Sequence, residues 1–480
     1  MAIDEPRSVE YLQNLARVAS VLVFLFGFAA LPAPSDPPLS TYVGTYTGEP
    51  GRNIEIVAGD ELFAVQDDAK YHLKRTGPDE FTLNTGDKIS FQHDSSGKIT
   101  GFLLRGKLHT RLSAKVTTES AALAYPRPLG ENSPADYHYH PPADLHEGIA
   151  VGDIDRTELG TSTADAIVRA ILDGTYKDVH SVLLYQHGKL VLEEYFYGYT
   201  ASRPHQLRSA TKSVVSALAG IAIDRGAIPS VDERVLPHMT YSSYANPDPR
   251  KASMTLGNFL SMSSGLDCND HSSTSPGRET VIDETPDWVK ATLDLPMINN
   301  PGSKAYYCSG GVAVVGRMTE NMVHMQLPDF AQANLFGPLG ISRADYAWNY
   351  NLTNANKEYG QIRLRPRDML KLGIVFANDG RWQGHQVISS AWVKTSLAEH
   401  SQVDETSYGY FWWRPYLNVG PQRVNMFAAQ GNGGQKIYLL PQFDLVAVFT
   451  GGDYNSDGAP PNRILIQILL PALLARHSER

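Results

Sequence analysis

The chain has 480 residues, 42% of them hydrophobic and 19% charged, with a formal net charge of -9. That length exceeds one comfortable core and points to at least two domains, and the composition excludes a disordered or fibrous chain. The acidic balance and the lack of any long Lys/Arg run exclude a nucleic-acid footprint.

The first element is apolar. Arg17 precedes an uncharged stretch, Val18–Leu31 (VASVLVFLFGFAAL), followed by PAPSDPPLS. The stretch is short for a spanning helix and suits the core of a signal peptide. Residues 1–40 are therefore read as a leader with a Pro-rich linker, either cleaved or kept as a membrane anchor. The protein is expected to be exported, periplasmic or extracellular.

From Tyr42 to about Leu112, short alternating runs (NIEIVAGDELFAV, KYHLKRTGPDEFTLN, FQHDSSGKITGFLL) are separated by turn residues. This period of two predicts a small all-β domain over residues 41–112. Residues 113–145 shift to Ala, Thr, Ser, Pro and Tyr with little periodicity and read as a linker. His138, His140 and His146 have no cysteine or carboxylate cluster at a structural-metal spacing, so no metal is assigned and no cofactor is expected.

Residues 146–480 alternate helix and strand. Thr163–Leu172 has a helical pattern, and SVLLYQHGKLVLEEYF reads as a hairpin turning at His187-Gly188. Near the C-terminus QKIYLLPQFDLVAVFTGG is a second hairpin, and RILIQILLPALLAR a closing helix interrupted at Pro471. The two hairpins are expected to be neighbours in one antiparallel sheet flanked by helices, an α/β (α+β) architecture.

Ser209 and Lys212 stand three residues apart where the apolar helix of HQLRSATKSVVSALAGIAIDRG begins. On a helix these positions share a face, so the amine can approach the hydroxyl. The Ser209 amide, in the first turn, has no intrahelical partner and is available to a developing oxyanion. Burial and the positive end of the helix dipole both disfavour an ammonium, so a neutral Lys212 can accept the serine proton. A second Ser-x-x-Lys, Ser95 to Lys98, falls in an Asp94-Ser-Ser-Gly turn and reads as that turn alone. On spacing alone, a Lys212 that merely snorkels from its helix competes with the catalytic reading.

Three further motifs follow in order: MTLGNFLSMSSGL (Met254–Leu266), PGSKAYYCSGG (Pro301–Gly311) and GNGGQ (Gly431–Gln435) ahead of the last hairpin. With SATK (Ser209–Lys212), they make the region from His146 to the C-terminus resemble the serine β-lactamase-like and penicillin-binding-protein-like hydrolases. That is the branch holding class C β-lactamases, D-alanyl-peptidases, esterases and 6-aminohexanoate-oligomer hydrolases. No Gly-x-Ser-x-Gly occurs, so an α/β-hydrolase would lack its nucleophile elbow.

The resemblance implies a β-lactamase/transpeptidase-like fold for residues 146–480 and an acyl-enzyme on Ser209, with Lys212 as general base and Tyr307 as proton relay. The substrate would be a small ester, amide or peptide. Its alternatives are a D-amino-acid peptidase or weak β-lactamase, and a non-catalytic ligand-binding receptor of the same fold. By position, the Gln435 amide is expected as the second oxyanion donor, and Gly431, Gly433 and Gly434 as the place where substrate approaches the backbone. Ser309 stands where many members have Asn, and Asn432 where β-lactamases have the lysine of Lys-Thr-Gly. Both changes are expected to remove contacts to substrate and to make a poor β-lactamase. Lys436 reads as solvent-facing, on the opposite side of its strand from Gln435. Cys268 and Cys308 lie beside the SGL and tyrosine loops, which the fold should bring together. A disulfide is the expectation, two buried thiols the alternative.

Overall fold

A computed structural model of the chain describes residues 36–48, 52–66, 68–127, 133–349, 361–419, 422–456 and 458–477. The apolar stretch Val18–Leu31 lies outside these residues. No described helix is long and apolar enough to cross a membrane.

Among the described residues, the alternating runs form eight antiparallel strands: β1 (Gly44–Tyr46), β2 (Ile54–Ala58), β3 (Leu62–Gln66), β4 (Ala69–Arg75), β5 (Glu80–Leu83), β6 (Lys88–His93), β7 (Ile99–Leu104) and β8 (Lys107–Ser113). β8 pairs back onto β1 and closes a barrel. The pleat sends alternate side chains inward. Tyr46, Ile56, Leu73, Phe81, Ile89, Phe91 and Phe102 therefore fill the interior with packed side chains. Val57 and Val65 point the other way and join the core of the region that follows. Residues 39–480 form one compact unit.

The described residues of the segment expected as a linker are tied down. They include a short helix, α1 (Thr118–Ala122), capped by the Thr117 hydroxyl. Leu123 is fully buried, the Tyr137 hydroxyl donates to Glu194 (2.8 Å) and that of Tyr139 to the Val191 carbonyl (3.0 Å). Aromatic side chains with polar tips anchor a chain that has no periodicity of its own. His138, His140 and His146 are exposed.

Helix α2 (Gly160–Leu172) buries Ala164, Ile167, Val168 and Ile171, spaced three and four apart as one face of a helix requires. Full burial of each of the larger three is worth about 1.5–3 kcal/mol. β9 (Val179–Gln186) and β10 (Lys189–Tyr195) form the first hairpin, turning at His187-Gly188. The last hairpin, Gln435–Leu440 with Leu445–Gly451, lies beside it, since Leu445–Gly451 pairs with β9. Phe427–Gly431 forms the outer edge of this five-stranded antiparallel sheet. Sequence-distant hairpins thus become neighbours, as their alternation predicts.

One sheet face packs α2 and the closing helix; the other packs α3 (Thr211–Asp224). After α3 come α4 (Leu256–Leu260), α5 (Glu279–Ile282), α6 (Trp288–Asp294) and α7 (Gly310–Val323), the last packed on α3. The closing helix is not broken at Pro471. It runs from Pro460 to His477 through one π turn, Leu465–Leu469. A wider turn just before proline relieves the clash with the carbonyl four residues back, where a straight α-helix would kink.

Candidate active site

The nucleophile candidate sits where strand meets helix. His205–Gln206 pairs with Arg363–Leu364, and Leu207 N–H donates to the Ile362 carbonyl (2.9 Å). The chain then turns through a 3-10 turn, Arg208–Ala210, into α3. Ser209 is half-buried at this junction, while Lys212 is 1% exposed. Lys212 Nζ lies 3.0 Å from Ser209 Oγ, so the i,i+3 spacing delivers the amine to the hydroxyl. Arg208, immediately before Ser209, holds φ at +49°, a left-handed conformation that a side chain with Cβ adopts only under constraint.

Two loops meet over this pair. The capping box of α4 (Thr255 with Asn258) starts the helix that ends in the SGL loop. The tyrosine loop precedes α7 and is zipped to the SGL loop and the chain just after it: Gly302 N–H donates to the Ser263 carbonyl (2.7 Å), Tyr306 N–H to that of Met262 (2.9 Å) and Asp270 N–H to that of Tyr307 (2.8 Å). Cys268 and Cys308 are joined by a disulfide across the same seam. The Tyr307 ring centroid is 4.9 Å from Lys212 Nζ, whereas Tyr306 stacks on the Lys304 side chain.

Ser309 faces the same lysine. Its hydroxyl is 3.1 Å from Lys212 Nζ and its N–H donates to Asp270 Oδ2 (2.8 Å), so the residue keeps a polar contact to the lysine. The shorter side chain reaches because α7 starts directly behind it.

The edge strand closes the other side of the site. Gly431 comes tightly against the nucleophile's turn: a Cβ at Gly431 would lie 2.1 Å from the Leu207 carbonyl oxygen and 3.1 Å from Arg208 Cβ. Only glycine allows this approach. Gln435 pairs with Gly431 one strand further in, and its side chain is fully buried. Its amide donates to the carbonyls of Asn432 (3.1 Å) and Gly451 (2.7 Å) and its Oε1 accepts from Gly451 N–H (3.1 Å), which locks the loop from behind. Asn432 is exposed and pairs through its own amide with Asn455 (2.7 and 3.0 Å). Gly433 and Gly434 lie between, with Gly433 at φ +89° against the Tyr454 ring. Lys436 does point away from Gln435, but into protein rather than solvent: it is 8% exposed and bonds to Gln430 Oε1. Its sheet face is covered by the closing helix, a contact no strand pattern reports.

Three comparisons with known proteins bear on this arrangement. The beta-lactamase family model matches residues 165–469, nearly two thirds of the chain. The chain belongs to the beta-lactamase family. Among curated proteins, it is 24% identical to a 6-aminohexanoate-dimer hydrolase of Paenarthrobacter ureafaciens, over 58% of this chain and 73% of that one. Among solved structures it superposes on EstCE1, a hydrolase with promiscuous acyltransferase activity (TM-score 0.52, 16% identity, 65% of this chain and 97% of that one). It also superposes on a class C beta-lactamase from Rhodobacter sphaeroides (TM-score 0.50, 18% identity, 64% and 99%). The last two show the fold. The barrel Gly44–Ser113 lies outside the family match.

As a serine hydrolase of this family, the protein surrounds its buried lysine with carboxylates. Asp270 is raised above the ordinary carboxylate range, first by burial and then by Glu279, although Lys212 and Ser309 pull it down. Asp283 opens to solvent at its edge yet is pushed up to about 7 by lost hydration in the cleft and by Glu279 and Asp270. A small cavity between Glu279, Asp283, Trp288 and Ser309 adjoins them.

The motifs did not point to three residues of the site. His271 and Trp413 stack with the Tyr307 ring at centroid distances of 5.3 and 5.5 Å, and Arg208 lies over the Tyr454 ring at 4.8 Å. His271 and Trp413 reach Tyr307 from loops remote in sequence, with no local spacing to mark them. Arg208 has one signal in the sequence, a long cation placed directly before the nucleophile.

Proposed function

We propose that this protein is an exported serine hydrolase that cleaves an ester or amide through an acyl-enzyme on Ser209. The observation that carries the reading is the buried Lys212 amine 3.0 Å from the Ser209 hydroxyl. Neutral Lys212 takes the Ser209 proton as Oγ attacks the substrate carbonyl, and the resulting oxyanion is held by backbone N–H groups. We assign those to Ser209 and to Asn432, which follows the close-packed Gly431; the Gln435 position on the inner strand supports it less well. Tyr307, over whose face Lys212 sits, relays the proton to the leaving group and then helps activate water for deacylation.

The acidic cluster of Asp270, Glu279 and Asp283 beside Lys212, although burial and mutual repulsion raise Asp270 and Asp283, offers a substrate carboxylate repulsion rather than a partner and so favours a neutral or cationic substrate. With the donor at Asn432, the position three residues earlier, where lactam-cleaving relatives carry lysine, is held by Ala429, which adds no positive charge. Both support a poor β-lactamase, and the curated relative, named a 6-aminohexanoate-dimer hydrolase, favours a small acyl substrate over a lactam.

The test is labelling with a fluorophosphonate, followed by peptide mapping and turnover of p-nitrophenyl esters beside a chromogenic cephalosporin. An adduct on Ser209 and preference for the ester are expected. Ser209→Ala and Lys212→Ala should each abolish turnover without adding to one another, and Tyr307→Phe should cost about 100-fold. No adduct at Ser209 would leave a ligand-binding receptor of the same fold as the better reading.

A further inference from the structure

The barrel reaches the nucleophile. Its β3–β4 hairpin grips the chain on both sides of the His205–Ser209 segment. Asp68 accepts from Arg203 (3.0 Å) and from Arg363 (2.6 Å) on the strand paired with His205. Lys70 and His72 both bond Asp178, whose carbonyl accepts from Gly452 N–H (2.8 Å). Between them Tyr71 packs its ring on the barrel core and accepts at its hydroxyl from Arg208 Nη2 (3.3 Å). The Tyr71 and Tyr454 rings lie 5.9 Å apart, and Asn84, in the β5–β6 turn, donates to the Tyr454 carbonyl.

Tyr454 is where the two halves of the acyl site meet. Its ring carries the Arg208 guanidinium on one side, and a Cβ on Gly433 would lie 2.5 Å from that ring. The residues flanking it complete the support: Asp453 N–H donates to the Gly433 carbonyl (3.2 Å), and Asn455 pairs with Asn432. The residue preceding the nucleophile and the glycine loop opposite it are thus braced against one tyrosine, and the barrel holds that tyrosine and Arg208 together. Left-handed backbone at a residue such as Arg208 costs about 1–3 kcal/mol and persists only where surroundings over-determine it.

We propose that the barrel is a working part of the acyl-transfer site, with Tyr71 as a positioning residue that acts through Arg208 and Tyr454 on Ser209 and the glycine loop. The inference rests on the acyl-enzyme reading of Ser209. Removing the Tyr71 hydroxyl takes away one of the two holds on the Arg208 side chain and leaves Tyr454 as the other, so the turn loosens and Ser209 Oγ shifts from its place beside Lys212. Misplacement of a reacting group by about 1 Å can cost about 100-fold in rate.

The experiment compares full-length wild type, Tyr71→Phe, Arg208→Ala and the double variant by p-nitrophenyl acetate kinetics, thermal melting and hydrogen exchange. Tyr71→Phe keeps the ring and its packing, so it should melt within a few degrees of wild type. We expect its kcat to fall about 5- to 30-fold at nearly constant KM. Arg208→Ala should fall by at least as much, and the double variant no further, since both act through one contact. Peptides covering residues 205–212 and 431–435 should exchange faster in Tyr71→Phe, while those of α7 stay unchanged. Tyr71→Phe kcat within twofold of wild type, losses that multiply, or unchanged exchange in both peptides would each overturn the proposal. A wild type that turns over no ester counts against Ser209 as nucleophile, and the exchange comparison still decides the role of Tyr71.

Discussion

Lys212 and Lys436 are both buried lysines, and their neighbours give them different consequences. Lys212 faces two hydroxyls, the Tyr307 ring and the carboxylate of Asp270. Lys436 bonds to the neutral Gln430 side chain, and burial pulls its amine down to about 8. An unfolded chain holds the Lys436 proton up to its ordinary value near 10.5, so between about pH 8 and 10.5 it binds more protons than the folded chain does. Stability at this residue therefore rises with pH across that window, and at pH 7 the folded state bears the cost of a buried charge. Lys436→Met should stabilise the protein by about 1 to 3 kcal/mol at pH 7, taking about 1.4 kcal/mol per pKa unit as the ceiling. Urea unfolding at pH 7 and pH 10.5 measures it. The gain should shrink at the higher pH, and an equal gain at both would show that packing rather than charge is responsible.

At the scale of elements, the site is an assembly of loop ends rather than of whole helices. The SGL loop after α4 and the tyrosine loop before α7 are held by three backbone hydrogen bonds and by the Cys268–Cys308 disulfide, 40 residues apart in sequence. Closing a loop of that length removes unfolded-state entropy worth about 4 kcal/mol in the chain-entropy model. The double variant Cys268→Ala with Cys308→Ala should lose about 3 to 4 kcal/mol in urea unfolding. Because the backbone bonds remain, ester turnover well below the melting temperature should fall less than tenfold. A much larger loss of turnover would mean that the bridge, and not the backbone zipper, positions Tyr307.

Across the whole molecule, the barrel and the hydrolase region share a buried ion pair. Lys70 and Asp178 are each 2% exposed, and Lys70 also sits 4.4 Å from the Phe63 and Tyr197 ring centroids. Burial alone would raise the Asp178 carboxyl, but Lys70 and His72 outweigh it and hold it well below the ordinary carboxylate range. His72 is shifted the other way: burial opposes its charge, and bonds to Asp178 and Glu61 raise it above the ordinary imidazole value. Asp178 therefore contributes stability that is present above about pH 4 and lost as pH falls toward its folded value. His72 contributes stability that is full below about pH 6.5 and lost as pH rises through its folded value. Asp178→Asn leaves Lys70 buried without its counter-charge and should cost about 3 to 5 kcal/mol. Thermal melts from pH 3 to 8 should show the wild-type advantage greatest between about pH 4 and 6.5 and shrinking on either side, as Asp178 gains its proton below and His72 loses its own above; an advantage constant over that range would refute the ion-pair account.

Local rules made the sheet and the nucleophile's helix legible. The terminal hairpins alternate with a period of two around tight turns, and antiparallel neighbours follow from hairpins that must bury one face. Ser209 meets Lys212 because three residues of helical turn set that distance, whatever the rest of the chain does. What alternation does not encode is which strand closes a ring or what covers a sheet, since both depend on contacts between segments far apart in sequence. Hence eight strands read as a small β region close into a filled barrel, and Lys436, correctly placed on its strand face, proves buried beneath the closing helix. The glycine loop shows the same division. Its glycines mark close backbone approach, but only the sheet register decides that Gly431 meets Leu207 and Arg208 while Gln435 turns inward. The Tyr71–Arg208 contact joins residues 137 positions apart, so the chain alone could not place the barrel beside the nucleophile.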